Sequence, residues 1–318
     1  MDKKRVVVAL SGGLDSAAAA LRLLDLGYVV EGVHFWVNDD PSGVSLAERN
    51  ACWLGIPLTV LDLRVEFRSC VVDYFLGELR LGRTPAPCSF CNPRFKWYHL
   101  AEFADRVGAD YFAMGHYVRQ LKVDGEWFIR RGVDPAKDQS YYLWDLSQDI
   151  LSRALFPLGD MTKAEVRDYL SGRGYSEISR TRESMGLCFL PSGVSYRDFV
   201  FACLSPSSGD VVDLEGRVIG SHSGALLYTI GQRRGFDIFE EYLTEGVVWV
   251  VLALDTLANR LIVGCDVSDQ YVHSFVLDSW RLSDRAFVDG CSLTIMVRGL
   301  GRNPRGGASF EVLDDGGL

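Results

Sequence analysis

The chain has 318 residues, 48% of them hydrophobic and 24% charged, with a formal net charge of −9. That length exceeds the roughly 250–300 residues that one core can serve, so two or three domains are expected, and the apolar content excludes a mostly disordered chain. No apolar run approaches the ~18 residues of a membrane helix. Lys3-Lys4-Arg5 is followed only by Val6–Leu10 before Ser-Gly-Gly, so no signal peptide is expected either. Eight cysteines in so long a chain lack the density of a disulfide scaffold; the expectation is a reducing cytoplasm.

Arg5–Leu10 is a short valine-rich run of the kind that forms a parallel strand buried on both faces. It leads into Ser11-Gly12-Gly13-Leu14-Asp15-Ser16 and a helical stretch over Ala17–Leu26. Strands are predicted at Val29–Phe35, Leu58–Leu63 and Tyr111–Met114, and helices at Leu46–Leu54, Val65–Leu81 and Phe95–Val107. This alternation predicts an open parallel α/β sheet. Thr162–Leu170 reads as a helix with Thr162 and Glu165 at capping-box spacing. After Pro206 the helical signals stop, and β-type runs follow at Val211–Leu214, Val247–Leu254, Arg260–Val263, Phe275–Leu282 and Leu293–Val297. The expected domains are 1–205 (α/β), 206–272 (β-rich) and 273–318 (a β-barrel-like segment, incomplete).

Ser11–Ser16 lies between a buried strand and a helix start. Glycines there let the backbone approach a phosphate, and free helix N–H groups with the dipole favour its charge. Ser11 and Ser16 can add hydroxyl donors, and Asp15 can hold Mg²⁺. The loop is neither Walker A nor the dinucleotide G-x-G-x-x-G. It resembles the loop of the PP-loop ATP pyrophosphatases, which cleave ATP between the α and β phosphates and adenylate a substrate oxygen. That resemblance implies an ATP site at Ala9, Leu10, Ser11, Gly12, Gly13, Leu14, Asp15 and Ser16, with Phe35 near the base and Gly115 in a later turn.

Thr84-Pro85-Ala86-Pro87-Cys88-Ser89-Phe90-Cys91-Asn92 places two thiols three apart before a helix, whose start lowers a nearby thiol pKa. Cys188 is the third candidate. With no second C-x-x-C and no His pair, structural zinc is disfavoured, and Cys52, Cys70, Cys203, Cys265 and Cys291 read as inert thiols among apolar residues.

Several motifs in one order resemble the tRNA-specific 2-thiouridylases: Ser11–Ser16, Gly82-Arg83-Thr84-Pro85 leading to Cys91-Asn92 and Lys96, Gly115-His116-Tyr117, Lys137-Asp138-Gln139-Ser140-Tyr141, Phe156-Pro157-Leu158-Gly159, Gly186-Leu187-Cys188-Phe189, and Tyr228–Arg233. The resemblance implies an adenine nucleotide alpha-hydrolase-like domain with a helical tRNA-binding extension, which adenylates O2 of the wobble uridine and replaces it with sulfur. Cys188 would accept a persulfide sulfur from a donor protein, and Cys91 would resolve it through a disulfide or help to release sulfide. Ala86, Pro87 and Cys88 would border the base; His116, Lys137, Asp138, Gln139 and Arg298 would meet tRNA. Many members carry Asp where this chain has Cys88, so a general-base role does not transfer, and Cys88, Cys91 and Cys188 together permit a [4Fe–4S] cluster instead. Two alternatives stay open: another PP-loop adenylating enzyme, such as an amidotransferase or argininosuccinate-type synthase, and a shortened paralogue that binds tRNA without catalysis.

The acidic total does not exclude RNA, because exposed charges act over ~8–10 Å. Arg80, Arg83, Arg94 and Lys96 lie in a segment without Asp or Glu, as do Arg298, Arg302 and Arg305.

Overall fold

The computed structural model describes residues 3–181, 186–190 and 193–265, with 274, 276 and 277. Two compact units divide it: residues 1–73 with 87–194, and residues 74–86 with 195–318. The runs at 275–282 and 293–297, Cys291, Arg298, Arg302 and Arg305 lie outside the described residues, as does nearly all of 273–318.

The first unit is built on a five-stranded parallel sheet of order β3-β2-β1-β4-β7. Its strands are β1 Arg5–Ala9, β2 Val29–Trp36, β3 Leu58–Asp62, β4 Tyr111–Ala113 and the short β7 Ala154–Leu155. Val6, Val7 and Val8 are all buried, which explains the unbroken apolar run of β1: helices cover both faces of the sheet. Helix α1, Leu14–Asp25, lays Ala17–Ala20 against the sheet without exposure, since small side chains allow close approach. Helix α2, Ser42–Leu54, ends in a left-handed Gly55. The strand order reverses between β1 and β4, and at such a switch point the loops after adjacent strands diverge and leave a crevice for ligands.

The continuous helix expected over Val65–Leu81 is instead α3 Arg64–Phe67, a π turn at Arg68–Val72 and α4 Asp73–Arg80. Likewise, the helix expected from Phe95 starts upstream, as α5 Pro87–Cys91, a π turn at Asn92–Lys96 and α6 Trp97–Arg106. A π turn inserts a residue and rotates the face downstream of it, which blurs the apolar period that sequence reading relies on. Between β4 and β7 stands a hairpin absent from the sequence reading, β5 Val118–Val123 and β6 Glu126–Arg131. Helix α7, Gln148–Arg153, precedes β7. Helix α8, Lys163–Gly172, starts on the expected capping box of Thr162 and Glu165, and α9 is a single turn at Ser176–Ser179.

In the second unit, α10 Tyr196–Leu204 meets the 74–86 segment edge-on, Phe75 to Tyr196 at 5.9 Å between ring centroids. Its sheet has the order β10-β9-β8-β12-β11, formed by β8 Gly209–Val212, β9 Val218–His222, β10 Asp237–Ile238, β11 Val250–Asp255 and β12 Arg260–Gly264. No helix among the described residues is long and apolar enough to cross a membrane.

Candidate active site

The loop after β1 is held from three sides. Gly12 has φ +83°, and a Cβ there would stand 2.6 Å from Leu46 Cβ on α2, so only glycine fits. The buried Asn50 donates from Nδ2 to the Gly12 carbonyl (2.9 Å), and the buried His34 donates from Nδ1 to the Leu10 carbonyl (2.6 Å). Burial lowers the His34 pKa, which keeps the ring neutral. Ser16 Oγ donates to the Gly13 carbonyl (3.0 Å) and accepts from the Ser11 N–H (3.2 Å), so this hydroxyl shapes the loop itself. Gly13 caps α1 without a side-chain bond, which leaves the helix start to backbone N–H groups. Phe35 lies at the end of β2 beside the neighbouring core.

Asp15 is engaged rather than open. Lys163 Nζ donates to both its oxygens (2.6 and 2.8 Å), and Tyr117 OH donates to Oδ1 (2.7 Å). Gly115, at the switch point after β4, abuts this residue: a Cβ there would lie 2.7 Å from the Asp15 carbonyl carbon and 2.9 Å from Ser16 N. The loop after β1 and the turn after β4 therefore meet backbone to backbone.

Cys88 and Cys91 lie on α5, and the following π turn carries Lys96. Five residues in a π helix turn through little more than one revolution, so Lys96 returns to the face of Cys91. All three candidate thiols act on Lys96 through charge: Cys188 first, then Cys91 and Cys88, raise its pKa. Burial pushes the Cys91 thiol up to about 12 against the pull of Lys96. Desolvation also raises Cys88, which still reaches solvent, while Cys188 is exposed. The Cys188 segment is anchored by Asn38 Nδ2, which donates to the Cys188 carbonyl (3.1 Å), and by the buried Phe189, 6.2 Å from the Phe67 ring. The charge of Cys70 also reaches Cys91, so Cys70 belongs to this neighbourhood and not to a remote core as its sequence surroundings suggest.

Residues 4–192 match the family model described as tRNA methyl transferase HUP domain, and 197–265 match the tRNA methyl transferase PRC-barrel domain. A tRNA-specific 2-thiouridylase of Bacteroides fragilis is 43% identical over 309 residues, covering 92% of this chain and 83% of the relative. The chain belongs to the tRNA-specific 2-thiouridylase family. A Chloroflexus aurantiacus 2-thiouridylase is 40% identical, covering 92% of this chain and 84% of its own; one from Chlorobium luteolum is 39% identical, covering 82% and 72%.

In this 2-thiouridylase fold, His116 follows Gly115 and stacks on Trp97, with centroids 5.9 Å apart at 25°. Burial first, then Lys96, brings its pKa down to about 3. Its folded pKa lies below the ordinary 6.5, so the stability it contributes is complete above 6.5 and is lost as pH falls towards 3. His116→Asn is expected to flatten the acid limb of a plot of urea midpoint against pH over that window; an unchanged limb would show that His116 is not the group responsible.

Asp138 and Gln139 have internal duties. Asp138 accepts from the Gly132 N–H (3.0 Å) and Ser140 Oγ (2.7 Å), and Gln139 Oε1 accepts from the Tyr117 N–H (3.0 Å). Lys137 sits in the turn just before them, its N–H bonded to the Asp134 carbonyl. Ala86 is exposed and Pro87 half-buried. The basic run 80–97 is less free than its composition suggests, because Arg94 pairs with Asp145 (3.2 Å), Arg83 with Glu78 (3.6 Å), and the thiols act on Lys96 through charge. Sequence reading missed Lys163, Asn50 and His34 and placed Lys96 in a basic patch for RNA rather than beside the thiols. Lys163 lay within reach as the lysine just after the Thr162 cap; nothing in the sequence joins Asn50 to Gly12.

Proposed function

We propose that the protein is an ATP-dependent tRNA sulfurtransferase that converts the wobble uridine to 2-thiouridine. The observation that carries this reading is the pair Gly115-His116: the first abuts the loop at Asp15, and the second stacks on Trp97, the residue after Lys96, which supports a single site that joins the phosphate loop to the thiols. Loop N–H groups and Lys163 would receive the ATP phosphates. Uridine O2 would attack the α phosphorus, pyrophosphate would leave, and C2 would then carry AMP as a leaving group. The terminal sulfur of a Cys188 persulfide would bond to C2 as AMP departs with the old oxygen. Cys91 would attack the Cys188 sulfur, forming a Cys91–Cys188 disulfide and freeing the thiolated base. A thiol reductant returns two electrons to that disulfide, and a sulfur-donor protein reloads the exposed Cys188. Free thiols throughout the described residues suit a reducing, cytoplasmic setting. Ala86, Pro87 and Cys88 would border the base, and His116 and Lys137 would meet the RNA.

Among the described residues no three His, Cys, Asp or Glu side chains converge on a single metal ion. A [4Fe–4S] cluster holds its cysteines farther apart than a single ion does, so the iron–sulfur reading of Cys88, Cys91 and Cys188 is the alternative that iron reconstitution tests below. Asp15, with both oxygens on Lys163, is not an open Mg²⁺ ligand. No step is routed through either.

The deciding experiment incubates purified protein with tRNA, ATP and a sulfur source, with and without iron reconstitution, and reads 2-thiouridine by mass spectrometry. Thiolation without iron is expected. No thiolation under either condition, or ATP–pyrophosphate exchange driven by a small acceptor rather than tRNA, would overturn the reading. Gly115→Ala, whose methyl collides with Asp15 and Ser16, is expected to displace the phosphate loop and raise the KM for ATP by about 10²-fold. A KM equal to that of the wild type would remove Gly115 from the ATP site.

A further inference from the structure

The β5–β6 hairpin has no part in the site described so far. Its register pairs Arg119 with Arg130, Leu121 with Phe128 and Val123 with Glu126 on one face. The other face packs Val118, Trp127 and Ile129 against the core, so the first face turns outward, with Leu121 46% and Val123 39% exposed. Four cations stand against two acids, Asp124 and Glu126: Arg119 and Arg130 on the outward face, and Lys122 and Arg131 on the rows of Trp127 and Val118, where both are still exposed. Arg119 Nε donates to the Arg131 carbonyl (2.8 Å) and lies 3.9 Å from Asp160. Arg130 and Arg131 are exposed and have no carboxylate partner among the described residues.

Like charges directly opposite in an antiparallel pair destabilise it, and a bound anion relieves the repulsion. An isolated two-stranded ribbon is also marginal in water. This one is clamped at both ends. Gln139 and Asp138 hold Tyr117 and Gly132 at its base, and Gln148 exchanges two hydrogen bonds with the backbone of Trp127 near its tip (2.7 and 2.8 Å). The base is one residue from Tyr117, which bonds Asp15 of the phosphate loop.

We propose that this hairpin is an arm that lies along the RNA backbone of the substrate, with Arg130, Arg131 and Arg119 on phosphates and the exposed Leu121–Val123 edge against ribose. The inference rests on the tRNA reading above and extends it to a contact surface. It also gives Asp138 and Gln139 a role: they position the arm and need not touch RNA themselves.

The test measures tRNA binding to the full chain over a salt series, for the wild type and the Arg130→Glu/Arg131→Glu double variant, with thermal melting alongside. The double variant is expected to bind about 10-fold more weakly at low salt and to lose about two units of the log-affinity against log-salt slope. It should melt no lower, because Arg130→Glu turns a like-charged cross-strand pair into an opposite-charged one. Should it melt lower, Arg130→Gln is read instead: weaker binding at wild-type melting supports the arm, and unchanged binding overturns it. Wild-type binding with an unchanged slope in the double variant overturns the arm alone. A wild type that binds tRNA no better than polyuridylate overturns the reading beneath it. Normal tRNA binding with loss of sulfur transfer from a donor protein would assign the surface to that protein and overturn the RNA arm.

Discussion

Cys188→Ser is expected to lower 2-thiouridine formation by about 10³-fold or more while tRNA binding persists. A serine hydroxyl cannot carry a sulfane sulfur. Cys188 is exposed and accessible to a donor, whereas Cys91 is buried, with its thiol pushed up to about 12. The two cysteines should therefore fail differently. With Cys91→Ser, the first sulfur would still reach the base but could not be released, and a covalent RNA–protein species should accumulate on non-reducing denaturing gels and vanish on adding a thiol. Equal and complete loss in both variants, without adduct, would refute this division of labour. The raised folded pKa keeps Cys91 protonated at neutral pH, and Lys96 is the charge that opposes this. Lys96→Met should accordingly move the pH dependence of the release step upward.

Lys163→Met is expected to lower the ATP-dependent step by about 10²–10³-fold. Two effects act in the same direction. The ammonium that would balance phosphate charge is lost, and the Asp15 carboxylate, whose side chain is 37% exposed, is left without its cation beside the incoming phosphates. The double variant Asp15→Asn/Lys163→Met separates them: recovery would trace the loss to the unpaired carboxylate, and no recovery would trace it to the ammonium itself. Tight ATP binding and normal pyrophosphate release in Lys163→Met would refute both. The ion pair is 148 residues apart in sequence, which is why Asp15 reads as an open metal ligand until the fold is known.

The α/β class and the first four strands were legible because each strand is a short apolar run between turn signals, and local hydrophobic pattern is what a strand buried on both faces requires. The phosphate loop was legible for a related reason: Gly12 and Gly13 between a strand and a helix are a local demand of backbone geometry. The hairpin was missed because Gln120, Lys122 and Arg131 fall on the inward rows while Leu121, Val123 and Phe128 fall on the outward ones, which breaks the alternation that marks a half-buried strand. The π turns were missed because one inserted residue scrambles a period of 3.6.

The sequence by itself determined which chemistries the protein carries, since residue type decides what can hold a phosphate or a sulfur. Which of those groups act together was decided by the tertiary structure alone. Lys163 reaches Asp15, three thiols act on Lys96, and Asn50 grips Gly12, because packing sets these distances and charges interact through space rather than along the chain. The same reason governs the cysteines: whether a thiol is exposed like Cys188 or buried like Cys91 depends on what covers it, and that in turn sets how far solvent reaches it and how readily it ionises.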